Sequence, residues 1–227
     1  MNTSKLRKKD LEWADYAFIS GMIVQKESAL KAVAACRAAG LKTVAGGPLF
    51  ASEHGFFPDV DHFVLNEAEI TLPLFLDDLR CGTLKKFYSS AEFPDIRQTP
   101  VPRWDLVDMD NYVTMNLQFS RGCPYNCEFC NVTSLFGHRC RTKSTVQILA
   151  ELDRIYAQGW RAGIFFVDDN FIGNKHQLKT DLLPALIRWQ QGKTGISFLT
   201  EVSINLADDD ELMKLMVRSE ERRVGKE

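Results

Sequence analysis

An α/β fold built in two successive parts is predicted by three features of this 227-residue sequence. Short apolar runs suited to strands alternate with longer amphipathic runs suited to helices, the order that buries parallel strands beneath covering helices. The alternation breaks off at Gly82 and resumes near residue 116, so two α/β parts are joined by a proline-bearing stretch. A hydrophobic content of 45% beside 26% charged residues supplies enough apolar side chains for a sizeable core at this length.

In the first part, residues 1–82, "DYAFIS" (15–20) has the pattern of a strand. "KESALKAVAACRAAG" (26–40) reads as a helix stopped by Gly40, and "LKTVAGGP" (41–48) as a strand running into a glycine turn. "DHFVL" (61–65) is a third short strand, and "EAEITLPLFLDDLRCG" (67–82) an amphipathic helix stopped at Gly82. Parallel sheets place ligands at the carboxyl ends of their strands, here "SGM" (20–22) and "GGP" (46–48). Three strands make this a portion of a doubly wound domain. Residues 83–115, with prolines at 94, 100 and 102 and no sustained period, are expected to form an ordered linker that packs through Phe87, Phe93 and Trp104.

The second part opens on the strand "VTMNLQFS" (113–120). "STVQILAELDRIYAQG" (144–159) is a helix capped by Ser144 and stopped by Gly159, and "AGIFFVDD" (162–169) is a strongly apolar strand. "KHQLKTDLLPALIRWQQG" (175–192) reads as a helix carrying Pro184, "ISFLTEVS" (196–203) as a third strand, and "ADDDELMKLMVRSEERR" (207–223) as a helix with an acid-rich first turn. Three βα units do not close a barrel, so residues 116–217 are expected to be a partial (β/α) barrel and 218–227 a tail without an apolar stripe.

A formal net charge of −2 argues against a nucleic-acid binder, which needs a clustered excess of Lys and Arg on its phosphate-facing surface. No apolar run reaches the ~18 residues of a transmembrane helix, and residues 1–10 lack the apolar stretch of a signal peptide. A cytoplasmic, reducing setting is the resulting expectation. There, six cysteines with four crowded together point to metal or redox chemistry rather than to disulfides.

The crowded four lie in "RGCPYNCEFCNVTSLFGHRCRTK" (121–143), directly after the first strand of the second part. Cys123, Cys127 and Cys130 have the spacing C-x3-C-x2-C, tight enough to turn three thiolates onto one small cluster. Three thiolates on a four-iron cluster leave one iron open, the mark of a reactive site. A structural zinc site, completed by His138 or Cys140, uses the same thiols, and a zinc-stabilised binding module is the non-enzymatic alternative. Position at the carboxyl end of a βα strand favours a cofactor site over a zinc knuckle. Cys36 and Cys81 fall in helical patterns and read as inert core thiols. Arg141 and Lys143 read as surface charge.

"GCPYNCEFC" resembles the signature loop of the radical S-adenosylmethionine (SAM) enzymes, C-x3-C-x-aromatic-C, which follows the first strand of a partial barrel. The resemblance extends to the cobalamin-binding, methyltransferase-type subgroup through "SGMIVQ", "GGPLFASE", "NEAE", "FFVDDNFIGNK" and "ALIRW", in that order, over residues 15–216. It implies a Rossmann-like cobalamin-binding domain, in its carboxyl-terminal part, followed by the radical SAM core. That subgroup has a further strand and helix before "DYAFIS" and further barrel units at its carboxyl end, so truncation at both ends is the expectation.

By that resemblance Cys123, Cys127 and Cys130 ligate a [4Fe-4S] cluster whose open iron binds SAM. Phe129 lies beside the adenine, Asp168 and Asp169 at the methionine amine, and Glu201 near the ribose or carboxylate. Ser20, Gly21, Gly46 and Gly47 let the backbone approach cobalamin, because a missing Cβ permits close contact. The resemblance leaves His138 and Cys140 as non-ligands. It implies reductive cleavage of SAM to a 5'-deoxyadenosyl radical and methylation of an unactivated carbon, with a non-methylation outcome as the alternative. Its partners are a small-molecule or lipid-like substrate and an electron donor such as a flavodoxin or ferredoxin.

Overall fold

The alternating runs become two separate parallel sheets in the computed structural model, which describes residues 8–220. The chain divides between Pro94 and Asp95 into the units Met1–Pro94 and Asp95–Glu227.

The first unit runs α1 (Lys8–Glu12), β1 (Tyr16–Ser20), α2 (Lys26–Ala38), β2 (Lys42–Gly46), α3 (Pro48–Glu53), β3 (His62–Val64), α4 (Ala68–Cys81) and β4 (Phe87–Tyr88). The strands are parallel and lie in the order β1-β2-β3-β4. Because successive side chains alternate across a strand, the sheet separates its residues into two cores. Ala45 and Phe63 pack with Ala29, Val33, Leu49 and Phe50 from α2 and α3. Val44, Val64 and Tyr88 pack instead with Phe75 of α4. Helices α2 and α4 stop where glycine takes up a left-handed conformation, Gly40 at φ 80° and Gly82 at φ 70°.

Two expectations change here. Phe87 and Tyr88 pair with Phe63 and Val64, so the stretch read as linker begins with a fourth strand of the first sheet. Two residues are too few to show a period of two in the sequence. Cys36 is buried, as a core thiol should be, but Cys81 is exposed at the last position of α4.

The second unit contains β5 (Thr114–Leu117), β6 (Ser120–Arg121), α5 (Val132–Phe136), β7 (Arg141–Thr142), α6 (Thr145–Ala157), β8 (Gly163–Phe166), α7 (Lys175–Gln177), α8 (Leu183–Gln190), β9 (Ser197–Thr200) and α9 (Asp210–Glu220). Strands β5, β8 and β9 form a parallel sheet in that order, with Leu117, Phe166 and Thr200 level at their carboxyl ends. One face carries Met115, Leu117, Ile164, Phe166 and Phe198 into a core with Ile148, Leu152 and Ile155 of α6 and Leu183 and Leu186 of α8. Ser144 caps α6 through a reciprocal pair: its Oγ accepts from Gln147 N at 3.3 Å, and Gln147 Oε1 accepts from Ser144 N at 3.0 Å.

The helix expected over 175–192 runs without a break from Lys175 to Gln190, but its turns are not uniform. Between α7 and α8 lies a π-helical segment, Leu178–Leu182, and Pro184 sits in the first turn of α8. Proline has no N–H, and its ring pushes against the carbonyl four residues back, so the ladder widens one turn earlier. Residues 221–227 of the expected tail 218–227 lie outside the described residues, as do residues 1–7.

Candidate functional site

The cysteine loop hangs between two short strands. β6 and β7 form an antiparallel pair, Ser120 opposite Thr142 and Arg121 opposite Arg141, so residues 122–140 leave and return at the carboxyl end of β5. Gly122 turns the chain into the loop at φ 92°. A Cβ there would lie 2.6 Å from the Arg139 carbonyl oxygen, so neither the conformation nor the space accepts a side chain. Cys123 N then donates to Gly137 O at 3.3 Å, and Cys130 N donates to Cys127 O at 3.0 Å.

Cys123 is half-buried, whereas Cys127 and Cys130 are exposed, as are their neighbours in the loop. Among the described residues no three His, Cys, Asp or Glu side chains converge closely enough to grip a single metal ion. The donor set is three thiols on one short loop, two of them open to solvent. That set fits a cluster added from outside, whose separate irons each take one thiolate. Phe129 is 94% exposed. His138 is exposed. Cys140 is half-buried, and burial pushes its thiol up, with Ser120 as a hydrogen-bond partner acting the other way.

The carboxyl end of β8 meets the first turn of this loop. Asp168, 4% exposed, accepts from Phe119 N at 3.1 Å through Oδ2, and from both Ser120 N and Ser120 Oγ through Oδ1. Burial pushes its carboxyl up to about 6, against the pull of the Ser120 and Phe119 donors, and the neighbouring Asp169 charge adds to the rise. Asp169 is half-buried and accepts from Gly122 N at 3.0 Å through Oδ2. Burial raises it too, opposed by that hydrogen bond and by the charges of Arg121 and Arg141. Both acids therefore face the loop, on different terms.

The end of β9 contributes a second connection. Asn170 Nδ2 donates to Ser203 Oγ at 3.1 Å, Ser203 Oγ also meets Asn205 Oδ1 at 2.6 Å, and Asn205 Nδ2 donates to the Tyr125 hydroxyl at 2.6 Å. Tyr125 lies between the first two cysteines, so the exposed part of the loop is tied to the third strand. Ser203 and Asn205 have no motif spacing to announce them. Glu201 accepts from Phe171 N at 3.2 Å through its backbone oxygen while its side chain stays exposed.

Lys143 departs from its reading as surface charge. It is 4% exposed, its N donates to Phe119 O at 2.8 Å, and its ammonium meets Glu151 Oε1 at 2.6 Å. Burial raises the Glu151 carboxyl, and Lys143 opposes that. This pair fixes the end of β7 to α6.

In the first unit, Ser20 lies opposite Gly46 at the carboxyl ends of β1 and β2. The protein's own packing accounts for both glycines: a Cβ at Gly46 would lie 2.6 Å from the Val64 carbonyl oxygen, and Gly47 has φ 85° with Ser20 Oγ 2.5 Å from its Cβ position. Gly21 O accepts from Leu49 N at 3.0 Å. Just beyond Gly21, Met22, Ile23 and Val24 are 62%, 56% and 87% exposed. Such an open apolar run beside small residues fits the edge of a flat, largely apolar ligand.

No protein-family model matches the chain. It is 44% identical over 95% of its length to an uncharacterized methyltransferase of Synechocystis, covering 41% of that protein. It is 32% identical over 91% of its length to the hopanoid C-2 methylase of Rhodopseudomonas palustris, covering 40% of that one. The chain thus spans about two fifths of the length of these curated relatives. In fold it matches the radical SAM methyltransferase TsrM of Kitasatospora setae, solved with tryptophan and a SAM analogue: TM-score 0.72, 14% identity, 93% of this chain and 48% of that one. It also matches the cobalamin-dependent radical SAM enzyme OxsB, solved with aqua-cobalamin and SAM: TM-score 0.67, 21% identity, 96% of this chain and 36% of that one. The α/β architecture with parallel sheets expected from the sequence matches the fold of these structures.

Proposed function

We propose, from the premise that this chain is a relative of the cobalamin-binding radical SAM methyltransferases, that it is the cofactor-bearing portion of such an enzyme. The carrying observation is the three-cysteine loop at the carboxyl end of β5, its last two thiols exposed and its first turn held by the acids that end β8. Cys123, Cys127 and Cys130 would hold a [4Fe-4S] cluster. When bound, the cluster, SAM and cobalamin supply reductive cleavage to a 5'-deoxyadenosyl radical and carriage of a methyl group.

The chain's own residues position and orient. The half-buried Asp169 offers a carboxylate to an ammonium, a charge-assisted contact. The exposed ring of Phe129 is available to stack on a purine, and the exposed Glu201 to accept from hydroxyl groups. Ser20, Gly21, Gly46 and Gly47, with Met22 to Val24, form the surface proposed for cobalamin. A small or lipid-like substrate, methylation at an unactivated carbon and a flavodoxin- or ferredoxin-type donor complete the reading. Among the described residues no helix is long and apolar enough to cross a membrane.

The test is anaerobic reconstitution with iron and sulfide. About four irons and four sulfides per chain are expected, lost in Cys123→Ala, Cys127→Ala and Cys130→Ala but retained in His138→Ala and Cys140→Ala. Retention of one zinc per chain, released by Cys140→Ala, would replace this reading with a structural zinc site.

A further inference from the structure

We propose that Asp168 is a positioning residue for the cysteine loop, fastening the carboxyl end of β5 to the start of β6 and so setting where Cys123 begins. The consequence for Cys123 rests on the cluster reading above; the fastening itself does not. The backbone ladder between β5 and β8 extends to Val167 N, which donates to Leu117 O at 2.9 Å. Beyond it, Phe119 and Ser120 are 0% and 1% exposed, so their N–H groups need an acceptor inside the protein. Asp168 supplies it. Its Oδ2 takes Phe119 N, and its Oδ1 takes Ser120 N together with Ser120 Oγ.

A carboxylate has about four acceptor positions. Three of those on Asp168 are filled by protein donors, and the side chain is 4% exposed, which leaves little of it for an external ammonium. Asp169 takes Gly122 N on Oδ2, lies within the influence of the Arg121 and Arg141 charges, and is half-buried. Both acids hold the loop, but Asp168 is sealed among protein donors, and the half-buried Asp169 is the one of the two that an external ammonium can reach. Asp168→Asn keeps one acceptor oxygen and turns the other into a donor NH2, so one of the two buried N–H groups, three and four residues before the first ligand, would lose its partner.

The experiment compares Asp168→Asn, Ser120→Ala, the double variant and Asp169→Asn in the full chain. In iron-free protein, hydrogen exchange of at least one of the Phe119 and Ser120 amides is expected to speed up about tenfold in Asp168→Asn, and both are expected to stay unchanged in Asp169→Asn. In reconstituted protein, Asp168→Asn is expected to lose iron to a chelator about tenfold faster, the usual scale for a residue supporting a metal ligand. Ser120→Ala should speed that loss several-fold in the wild-type background and add nothing to Asp168→Asn, because both act through one contact. SAM affinity should fall in Asp169→Asn and hold within about twofold in Asp168→Asn. Unchanged amide exchange in Asp168→Asn, or independent and additive effects of the two substitutions, overturns the assignment. Faster amide exchange in Asp168→Asn, alongside a folded wild-type chain that takes up no iron, would sustain the fastening and sink the cluster reading instead.

Discussion

At the scale of single residues, backbone and burial decide what each side chain can do. Gly122 combines φ 92° with a Cβ position 2.6 Å from a carbonyl oxygen, so Gly122→Ala is expected to open the first turn of the loop and to cost about 1–3 kcal/mol. Urea denaturation followed by Trp fluorescence measures that cost; an unchanged midpoint contradicts it. Asp61 gives a pH prediction. Burial alone would raise its carboxyl, but Lys42, Thr43 N and Thr43 Oγ1 together hold it at about 2, below the ordinary 3.8. A depressed folded-state value contributes stability above the unfolded value, and that stability is lost as pH falls from about 4 to about 2. Asp61→Asn should therefore lower the urea midpoint at pH 7 and converge on wild type near pH 2. A deficit independent of pH would show that the Asp61 charge is not the cause.

At the scale of elements, the strand and helix runs were legible because their periods reflect which face is buried. What escaped had no period to show. β4, β6 and β7 are two residues each, and the widened turn before α8 comes from the missing N–H of Pro184 rather than from any change in apolar pattern. The cysteine spacing marked the loop, yet spacing cannot say which carboxylate oxygen takes which donor, so the different surroundings of Asp168 and Asp169 emerged only in three dimensions. Lys143 was misread for the same reason: its partner Glu151 is eight positions away, and the turn into α6 closes the gap. That pair yields an element-level prediction. Glu151→Leu leaves the ammonium buried and alone and is expected to cost about 3–5 kcal/mol, whereas Lys143→Met together with Glu151→Leu should recover most of the loss. Thermal unfolding of the two variants checks this; equal destabilisation in both contradicts a buried-charge origin.

At the scale of the whole molecule, two α/β units divide at Pro94 and Asp95, and each presents its candidate residues at the carboxyl ends of parallel strands. The structural basis for that placement is general, since helices cover the sheet faces and leave the strand ends to gather ligands. Relatives at 44% and 32% identity carry methyltransferase and methylase names, and the fold matches a solved radical SAM methyltransferase with a TM-score of 0.72. On the function proposed above, the three-cysteine loop arms SAM for radical chemistry. Its most direct test is to load the chain with iron and sulfide anaerobically, reduce it, add SAM and quantify 5'-deoxyadenosine. The account predicts deoxyadenosine from the wild-type chain and from Cys140→Ala, and none from Cys127→Ala. A fully loaded, reduced wild-type chain that leaves SAM uncleaved would contradict it.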